Sequence, residues 1–232
     1  FPLFLIFNIM AKSKRKFIDG ILVEVSKFSM VDDSGLAKSK EWLGDNYDGY
    51  RATVLKKYMN GGFDLSAAYQ KADCLDAECL GVKCEIDGIV LNFKSDLWRV
   101  KIPELLSGKH AIKYFGTFDL QTPFQYVDLF ALTNSQSRWG RKLREFARIG
   151  DYLYYHNFDK QRKFTLIGIF AEPSGVCGST DDDPYPLPKE LEKQLDLLVK
   201  KDLYQMLGIP IDYLNDAADN AAQPKQDGQK EQ

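Results

Sequence analysis

Residues 86–103 read IDGIVLNFKSDLWRVKIP, and this stretch decides the fold. β-Branched and aromatic side chains are frequent over 86–93, and the Asp-Gly pair at 87–88 is typical of the tight turn of a β-hairpin. Apolar and charged side chains alternate over 97–102, as they do in a strand with one buried face. Pro103 ends the pattern because proline has no backbone N–H to donate to a neighbouring strand. The stretch therefore predicts β-structure in the middle of the chain.

Further strands are expected on the C-terminal side of this stretch. Residues 111–118 form one candidate strand. The clearest hairpin is predicted over 152–171, with arms at 152–155 and 164–170 that are joined by the polar loop 157–162. The middle of the chain is thus expected to be an antiparallel, β-rich region.

Helical spacing of apolar residues precedes the strands. It is found over 18–29 and again over 36–54, where apolar residues recur at intervals of seven, four and three. Gly44 and Gly49 favour two shorter helices in the second range, because each internal glycine costs about 1 kcal/mol relative to alanine. The sequence Asn-Gly-Gly at 60–62 is expected to end this helical segment.

Two more helices are predicted, one on each side of the β-rich region. A short helix is expected over 67–79. A longer amphipathic helix is expected over 189–207, where leucines line one side. Pro188 suits its first turn, and Gly208 suits its end.

Helices, then strands, then a helix predict an α+β fold with N-terminal helices, a central antiparallel β-rich region and a C-terminal amphipathic helix. The predicted parts are an N-terminal arm (1–16), a helical region (17–80), a β-rich body (81–180), a C-terminal helix region (181–216) and a polar tail (217–232).

Composition favours an interaction protein. The chain has 232 residues, enough for one large domain or two small ones, and 13% of them are aromatic. Tyrosine, present 12 times, suits surfaces that become buried on assembly. The formal net charge is −2, whereas a protein that binds nucleic acid with its whole surface is usually basic.

The N-terminal residues 1–9 are mostly apolar. They are too few for a bilayer-spanning helix, which needs about 20 residues, so no membrane partner is expected. Met10 is typical of a natural start, and the alternative is a hydrophobic arm at 1–9 that docks on a neighbouring molecule.

Cysteine and histidine spacing does not match a metal site. Cys74, Cys79 and Cys84 are five residues apart, whereas zinc sites use closer pairs. We expect reduced, mostly buried thiols, and two disulfides are the alternative for the four cysteines. Cys177, between glycines, is interpreted as a loop residue, although an exposed thiol is the other possibility.

Enzymatic motifs are also absent from the sequence. There is no phosphate-binding loop, no nucleophile elbow and no zinc-protease motif. Glu85, Asp87 and Lys94 resemble the carboxylates and lysine of a metal-dependent nuclease, but Asn92 stands where such a site needs charge. His156 is interpreted as a surface histidine. We therefore expect no enzyme and no cofactor, with a nuclease as the alternative.

One basic cluster is a candidate contact surface for a neighbouring subunit or for DNA. Arginine can bind phosphate groups, and it pairs equally well with carboxylates of another subunit. Acidic stretches at 73–87 and 181–183 could supply such carboxylates in head-to-tail contacts. A basic face exposed only to solvent is the third alternative. The cluster consists of Arg138, Trp139, Arg141, Lys142, Arg144 and Arg148.

Several motifs, in the same order along the chain, resemble virion structural proteins of crAss-like tailed phages. They run through residues 17–216 and are DDSGL at 32–36, YRA at 50–52, VKIPELL at 100–106, YFGTFD at 114–119, IGDYLY at 149–154, GIFAEP at 168–173, YPLP at 185–188 and IPID at 209–212.

The resemblance implies a subunit of a head-to-tail connector, assembled in the bacterial host cytoplasm and found in the virion. It implies a homo-oligomeric ring, of twelve copies by analogy with phage connectors, that contacts the portal protein and other connector or tail proteins. Genomic double-stranded DNA would pass through its channel. Tyr47, Tyr50 and Arg51 are then expected at a helical interface between subunits, and a DNA-binding packaging accessory protein is a further alternative.

Overall fold

The computed structural model describes residues 12–59, 61, 63–86, 88–106, 111–134, 144–156 and 163–210. These residues form an α+β fold, as predicted. The helices are α1 (Lys14–Val25), α2 (Asp33–Met59), α3 (Leu129–Asn134) and α4 (Lys189–Leu207). The strands are β1 (Gln70–Ile86), β2 (Ile89–Lys101), β3 (Ile112–Thr117), β4 (Gln125–Tyr126), β5 (Glu145–Ile149), β6 (Tyr152–His156) and β7 (Lys163–Gly168).

Helix α2 is one continuous helix of 27 residues, so the prediction of two shorter helices is wrong. Gly44 and Gly49 lie inside it. A buried stripe at every fourth residue explains why the helix continues, because the packing of this stripe outweighs the helix propensity lost at two glycines. The stripe consists of Ser39, Leu43, Tyr47, Arg51, Leu55 and Met59.

The ends of the helices follow local capping chemistry. Helix α1 begins at Lys14, earlier than predicted, because the Ser13 side chain accepts a hydrogen bond from the Lys16 amide. The predicted C-terminal helix is confirmed as α4, and Gly208 ends it in the left-handed conformation with φ of 69°.

No helix in the described ranges is both long enough and apolar enough to cross a membrane.

The seven strands form one sheet in the order β3-β7-β1-β2-β6-β5-β4. Its paired neighbours run antiparallel, except that β4 runs parallel to β5. The hairpin predicted from residues 86–103 is present, since Ile86 pairs with Ile89 across the β1–β2 turn. The predicted strand over 111–118 is also confirmed, as β3.

The predicted helix over 67–79 is wrong, because most of this range belongs to β1. The register of β1 against β7 shifts between Ala72 and Leu75, which marks a β-bulge. The bulge buries both residues although they are three apart, and a spacing of three is typical of a helix. Strand pairing on both sides of β1 then overrides the local preference.

The predicted hairpin over 152–171 is also wrong, although both of its arms are strands. Strand β6 pairs with β2 and β5, and β7 pairs with β1 and β3. The β1–β2 hairpin therefore lies between the two strands that were expected to pair with each other.

The backbone around β4 links the two ends of the sheet. The Phe124 amide, just before β4, donates to the Phe115 carbonyl of the edge strand β3 at 2.7 Å. The Val127 amide, just after β4, donates to the Phe146 carbonyl of β5 at 2.8 Å. One short stretch of backbone thus hydrogen-bonds to both β3 and β5, which leaves less of the β3 edge open to other chains.

Aromatic rings fill the space inside this curved sheet, with Phe115 at their centre. Its ring centroid lies 5.5 Å from Phe124, 5.1 Å from Phe146, 5.4 Å from Tyr155 and 5.7 Å from Phe164. Three of these four contacts are edge-to-face, the arrangement that aromatic quadrupoles favour.

Helices α1, α2 and α4 share this buried cluster with the sheet. Helix α3 covers a second, smaller apolar cluster on β2, β5 and β6. That second cluster is formed by Ile86, Phe93, Leu97, Leu132, Ala147 and Tyr154.

We predict that Phe115→Ala lowers the free energy of unfolding by about 3–5 kcal/mol, because it removes the ring that contacts four others. Phe118→Ala is the matched control, since Phe118 lies one residue beyond β3 with 52% of its surface exposed. The control is expected to change stability by less than about 1 kcal/mol. Chemical denaturation measures both, and equal losses in the two variants would contradict the proposed role of the aromatic cluster.

Candidate interaction surface

The β1–β2 hairpin extends beyond the strands that flank it. Among the described residues, β7 pairs with β1 only as far as Asp76, and β6 pairs with β2 only from Leu97 onward. Residues 77–86 of β1 therefore have described strand partners in β2 alone. At about 3.3 Å per residue, this part of the hairpin is roughly 30 Å long.

The extended part of the hairpin has one covered face and several exposed apolar side chains. Ile86 and Phe93 are buried in the small cluster beneath α3. Val82, Ile89 and Val90 expose 51%, 49% and 54% of their surfaces. Exposed apolar side chains on strands whose outer edges have no described strand partner are a feature that proteins usually avoid unless the surface binds something.

A second apolar loop lies at the same end of the sheet. Strand β3 runs in the direction of β1, because both are antiparallel to β7. Its following loop therefore leaves the sheet on the side of the hairpin tip. Phe118 and Leu120 in this loop are 52% and 45% exposed, and Leu120 has a φ of 61°. The loop is held by Asp119, which accepts hydrogen bonds from the Thr117 hydroxyl and the Gln121 amide.

The predicted basic cluster is only partly visible in the structure. Arg138, Trp139, Arg141 and Lys142 lie outside the described residues. Arg144 is exposed just before β5, at the end of the sheet where the hairpin projects. Arg148 lies four residues further along, about 13 Å away along a strand, and its Nε donates to the Gly150 carbonyl at 3.2 Å. These two arginines therefore do not form one compact patch.

Several residues of the predicted acidic stretches pair within the chain. The Asp73 carboxylate lies 2.9 Å from Lys71, and that of Glu78 lies 2.8 Å from Arg99. Asp182 pairs with Arg15 at 3.0 Å. These exposed pairs contribute little to stability, but they lower the net charge that the acidic stretches present to a partner.

The structure places Tyr47 and Arg51 in the core of the chain, with 0% of each residue exposed. Their side chains therefore serve packing within the chain and are not presented at the predicted helical interface between subunits. Tyr50 is half-buried, and its hydroxyl donates to Asp202 of α4 at 2.5 Å. Burial and the nearby Asp202 carboxylate raise the pKa of Tyr50 to about 12.

The sequence analysis missed a buried polar network centred on Asp48. The Lys14 ammonium donates to one Asp48 oxygen at 2.9 Å, and the Tyr185 hydroxyl donates to the other at 2.6 Å. Lys14 also donates to the Gly44 carbonyl at 3.2 Å. Burial, followed by the Asp48 charge, raises the pKa of Tyr185 well above its usual value, which keeps the hydroxyl protonated as a donor.

Arg51 extends the network to the segment that precedes α4. Its Nε donates to the Pro186 carbonyl at 2.9 Å, and its Nη1 donates to the Phe170 carbonyl at 2.8 Å. Burial lowers the pKa of Arg51. The network joins α1, α2 and the chain around 170–186, and its role is structural because the donors of Lys14, Tyr185 and Arg51 Nε and Nη1 are used on carbonyls and a carboxylate of the chain itself. Arg51 Nη2 is buried and has no hydrogen-bond partner among the described residues.

The interpretation of His156 as a surface residue is wrong. It ends β6 with 2% of its surface exposed. Its Nε2 lies 3.3 Å from the Leu132 carbonyl oxygen. Its Nδ1 lies 3.0 Å from the Ser95 hydroxyl. The imidazole thus connects α3 to β2 and β6 from a buried position.

The residues of the nuclease alternative are described only in part. Glu85 is exposed near the hairpin turn, Asp87 lies outside the described residues, and nothing is described of the Lys94 side chain. Within the described ranges, no group of three His, Cys, Asp or Glu side chains is arranged to hold a metal ion.

Two of the four cysteines form a disulfide, so the prediction of reduced, mostly buried thiols is wrong for this pair. Cys74 in β1 is bonded to Cys177, with their Cα atoms 6.2 Å apart, and both residues are exposed. Cys79 is a free exposed thiol, and Cys84 is free and half-buried. Burial raises the pKa of the Cys84 thiol.

We predict that Asp48→Ala lowers the free energy of unfolding by about 3–5 kcal/mol, because it leaves the buried Lys14 ammonium without its carboxylate. Asp45→Ala, an exposed position on the same helix, is the matched control and should change stability by less than about 1 kcal/mol.

A double-mutant cycle with Lys14→Met then tests the cause of this loss. The double variant Lys14→Met/Asp48→Ala should be more stable than the sum of the two single losses predicts, since neither charge remains unpaired. Strict additivity, measured by chemical denaturation, would contradict the ion pair as the source of the effect.

No model of a known protein family matches this sequence, and no curated protein matches it either.

Proposed function

We propose that this protein is a structural subunit of an oligomeric ring in the head-to-tail connector of a tailed phage. The observation that supports the proposal most is the β1–β2 hairpin. The outer edges of its extended part have no strand partner among the described residues, and Val82, Ile89 and Val90 are exposed on it. The sequence motifs that resemble crAss-like phage virion proteins, in the same order along the chain, indicate the kind of assembly, which is a head-to-tail connector.

The hairpin has the properties of a contact between copies of one chain. Its outer edges carry backbone N–H and C=O groups that another strand or loop can pair with, although the register of β1 against β2 shifts on both sides of Gly81. The exposed valines and isoleucine add apolar area that loses contact with water when a neighbour covers it. If each copy inserts its hairpin into the next copy, the contact is head-to-tail, and a ring forms when the rotation closes.

The end of the molecule opposite the hairpin tip can hold the hairpin in a fixed position. Helices α1, α2 and α4 share the main core with the sheet, and the Asp48 network ties α1 and α2 to the chain before α4. When the projecting hairpin is held by a rigid body, it fixes the angle between one subunit and the next. A closed ring of fixed copy number needs such a fixed angle.

The DNA-binding alternative has weaker support. The chain has a formal net charge of −2, and of the basic cluster the structure describes only Arg144 and Arg148, which are separated along β5. Genomic DNA is therefore proposed as the content of the ring channel and not as the primary ligand of the isolated subunit. Portal and tail proteins are the proposed partners at the two faces of the ring.

We predict that native mass spectrometry of the purified chain, with and without the portal protein of the same phage, shows a closed ring in at least one of the two samples. Negative-stain microscopy then gives its symmetry, with twelve copies expected. A chain that stays monomeric in both samples across the micromolar range would contradict the proposed function.

We predict that the double substitution Ile89→Lys/Val90→Lys blocks ring formation and leaves the subunit folded. Both side chains are half exposed in the isolated subunit, so the folded monomer loses little, whereas two ammonium groups cannot be buried in an apolar contact without a large desolvation cost.

Val23→Lys is the matched control, because Val23 is an apolar residue of α1 with 60% of its surface exposed, away from the hairpin. Native mass spectrometry gives the assembly, and circular dichroism with thermal unfolding gives the fold. Rings of normal size from the hairpin variant would exclude the hairpin tip as the subunit contact.

A further inference from the structure

The disulfide between Cys74 and Cys177 joins two parts of the chain that are 103 residues apart in sequence. Cys74 belongs to the central strand β1, and Cys177 belongs to the segment between β7 and α4. Because both residues are exposed, the bond is open to small thiols and disulfides from solvent.

A β-bulge sets the position of Cys74. In a regular strand, Cys74 would point to the same face as Ala72, which is fully buried. The register shift between Ala72 and Leu75 breaks this alternation, so that Leu75 is buried and Cys74 faces outward. Bulges re-aim side chains in this way, and here the bulge turns the sulfur towards the Cys177 segment.

Local structure also fixes Cys177. Val176 immediately before it is 1% exposed and anchors the segment in the core. Gly178 immediately after it has a φ of 81°, a conformation that glycine adopts without strain. The Ser179 amide donates to the Val176 carbonyl at 2.9 Å and closes a turn around the cysteine. Both sulfur atoms are thus positioned by contacts that do not need the bond between them.

The segment that carries Cys177 covers the start of α1. The Arg15 amide donates to the Asp181 carbonyl at 3.2 Å, and the Tyr185 amide donates to the Lys12 carbonyl at 2.9 Å. Ser13 and Pro184 form an isolated antiparallel bridge between the same two pieces of chain. Holding the segment against β1 therefore also holds the start of α1 in place.

We propose that Cys74 and Cys177 form a reversible redox clamp. The disulfide is reduced in a reducing compartment and forms under oxidising conditions, and the fold is the same in both states. Backbone contacts hold the segment in both states, and the disulfide restricts its opening in the oxidised state. The clamp does not depend on the proposed function, because it concerns contacts within a single chain.

Closure uses a small disulfide such as glutathione disulfide as the oxidant. The thiolate of one cysteine attacks this disulfide, forms a mixed disulfide and releases one glutathione thiolate. The thiolate of the other cysteine then attacks the protein sulfur of the mixed disulfide and releases the second glutathione. The two cysteines together lose two protons and two electrons, and one glutathione disulfide is reduced to two glutathione molecules.

The test compares the full chain with Cys74→Ser and Cys177→Ser, and uses Cys79→Ser as the control, because Cys79 is a free exposed cysteine of the same strand. Each protein is equilibrated in reduced or oxidised glutathione without denaturant. Thiol titration, mass spectrometry, thermal unfolding and hydrogen exchange at the Arg15 and Tyr185 amides are then measured.

We expect oxidation to remove two thiols from the natural chain and from Cys79→Ser, and to raise the midpoint of thermal unfolding by roughly 5–10 °C. Exchange at the two amides should slow in the oxidised state, and reduced glutathione should reverse each change while the protein stays folded. Cys74→Ser and Cys177→Ser should show none of these shifts. A natural chain that keeps all four thiols, takes up glutathione only as a mixed disulfide, or unfolds on reduction would overturn the proposal.

Discussion

The backbone pairing of β1 with β2 is the constraint on which the other parts of this structure depend. The two strands have 17 and 13 residues, the longest in the described sheet, and Ile86 at the end of β1 pairs with Ile89 at the start of β2. This local hairpin occupies the centre of the sheet, so β7 must pair on its β1 side and β6 on its β2 side. Their separation in turn places β3 beyond β7 and β5 beyond β6. Phe115 of β3 and Phe146 of β5 nevertheless meet, and the backbone around β4 hydrogen-bonds to both strands.

Local signals in the sequence predict the elements better than they predict their partners. The Pro188 and Gly208 boundaries depend on a few neighbouring residues and agree with the structure, and the predicted hairpin is present, with Ile86 paired to Ile89. The strand predicted after residue 97 is part of β2, but its burial does not alternate, since Leu97 and Val100 are both fully buried. The pairing of β6 with β7 was predicted only because the two strands are adjacent in sequence. Nothing local reveals that an earlier hairpin competes for both of them, since such pairings depend on contacts between distant parts of the chain.

The errors at β1 and α2 have opposite physical causes. In β1, a bulge gives buried residues a spacing of three, which imitates a helix. In α2, two glycines suggest a break, but a buried stripe that continues past both of them holds the helix together. The buried ion pair of Lys14 with Asp48 was equally hidden, because charged residues are normally exposed and the two are 34 positions apart. The exposed hairpin side chains could not be recognised either, since valine and isoleucine in a strand normally indicate a buried face.

The buried charged residues lie at the helical end of the molecule, and the extended hairpin lies at the other end. At the helical end, Asp48, backbone carbonyls and the Tyr185 hydroxyl are hydrogen-bond partners of the buried charges, although Arg51 Nη2 is buried and has no hydrogen-bond partner among the described residues. Such networks destabilise a protein when they are incomplete, so this end tolerates little rearrangement. At the hairpin end, apolar side chains remain exposed and the strand edges have few described partners. Apolar surface of this kind loses contact with water when another molecule covers it. Helices α1 and α4 also expose apolar side chains, such as Val23 and Met206, so exposed apolar area alone does not distinguish the two ends. The hairpin end differs because its exposed apolar side chains lie on strands whose outer edges have few described partners, and this combination makes it the better candidate for the proposed contact between subunits.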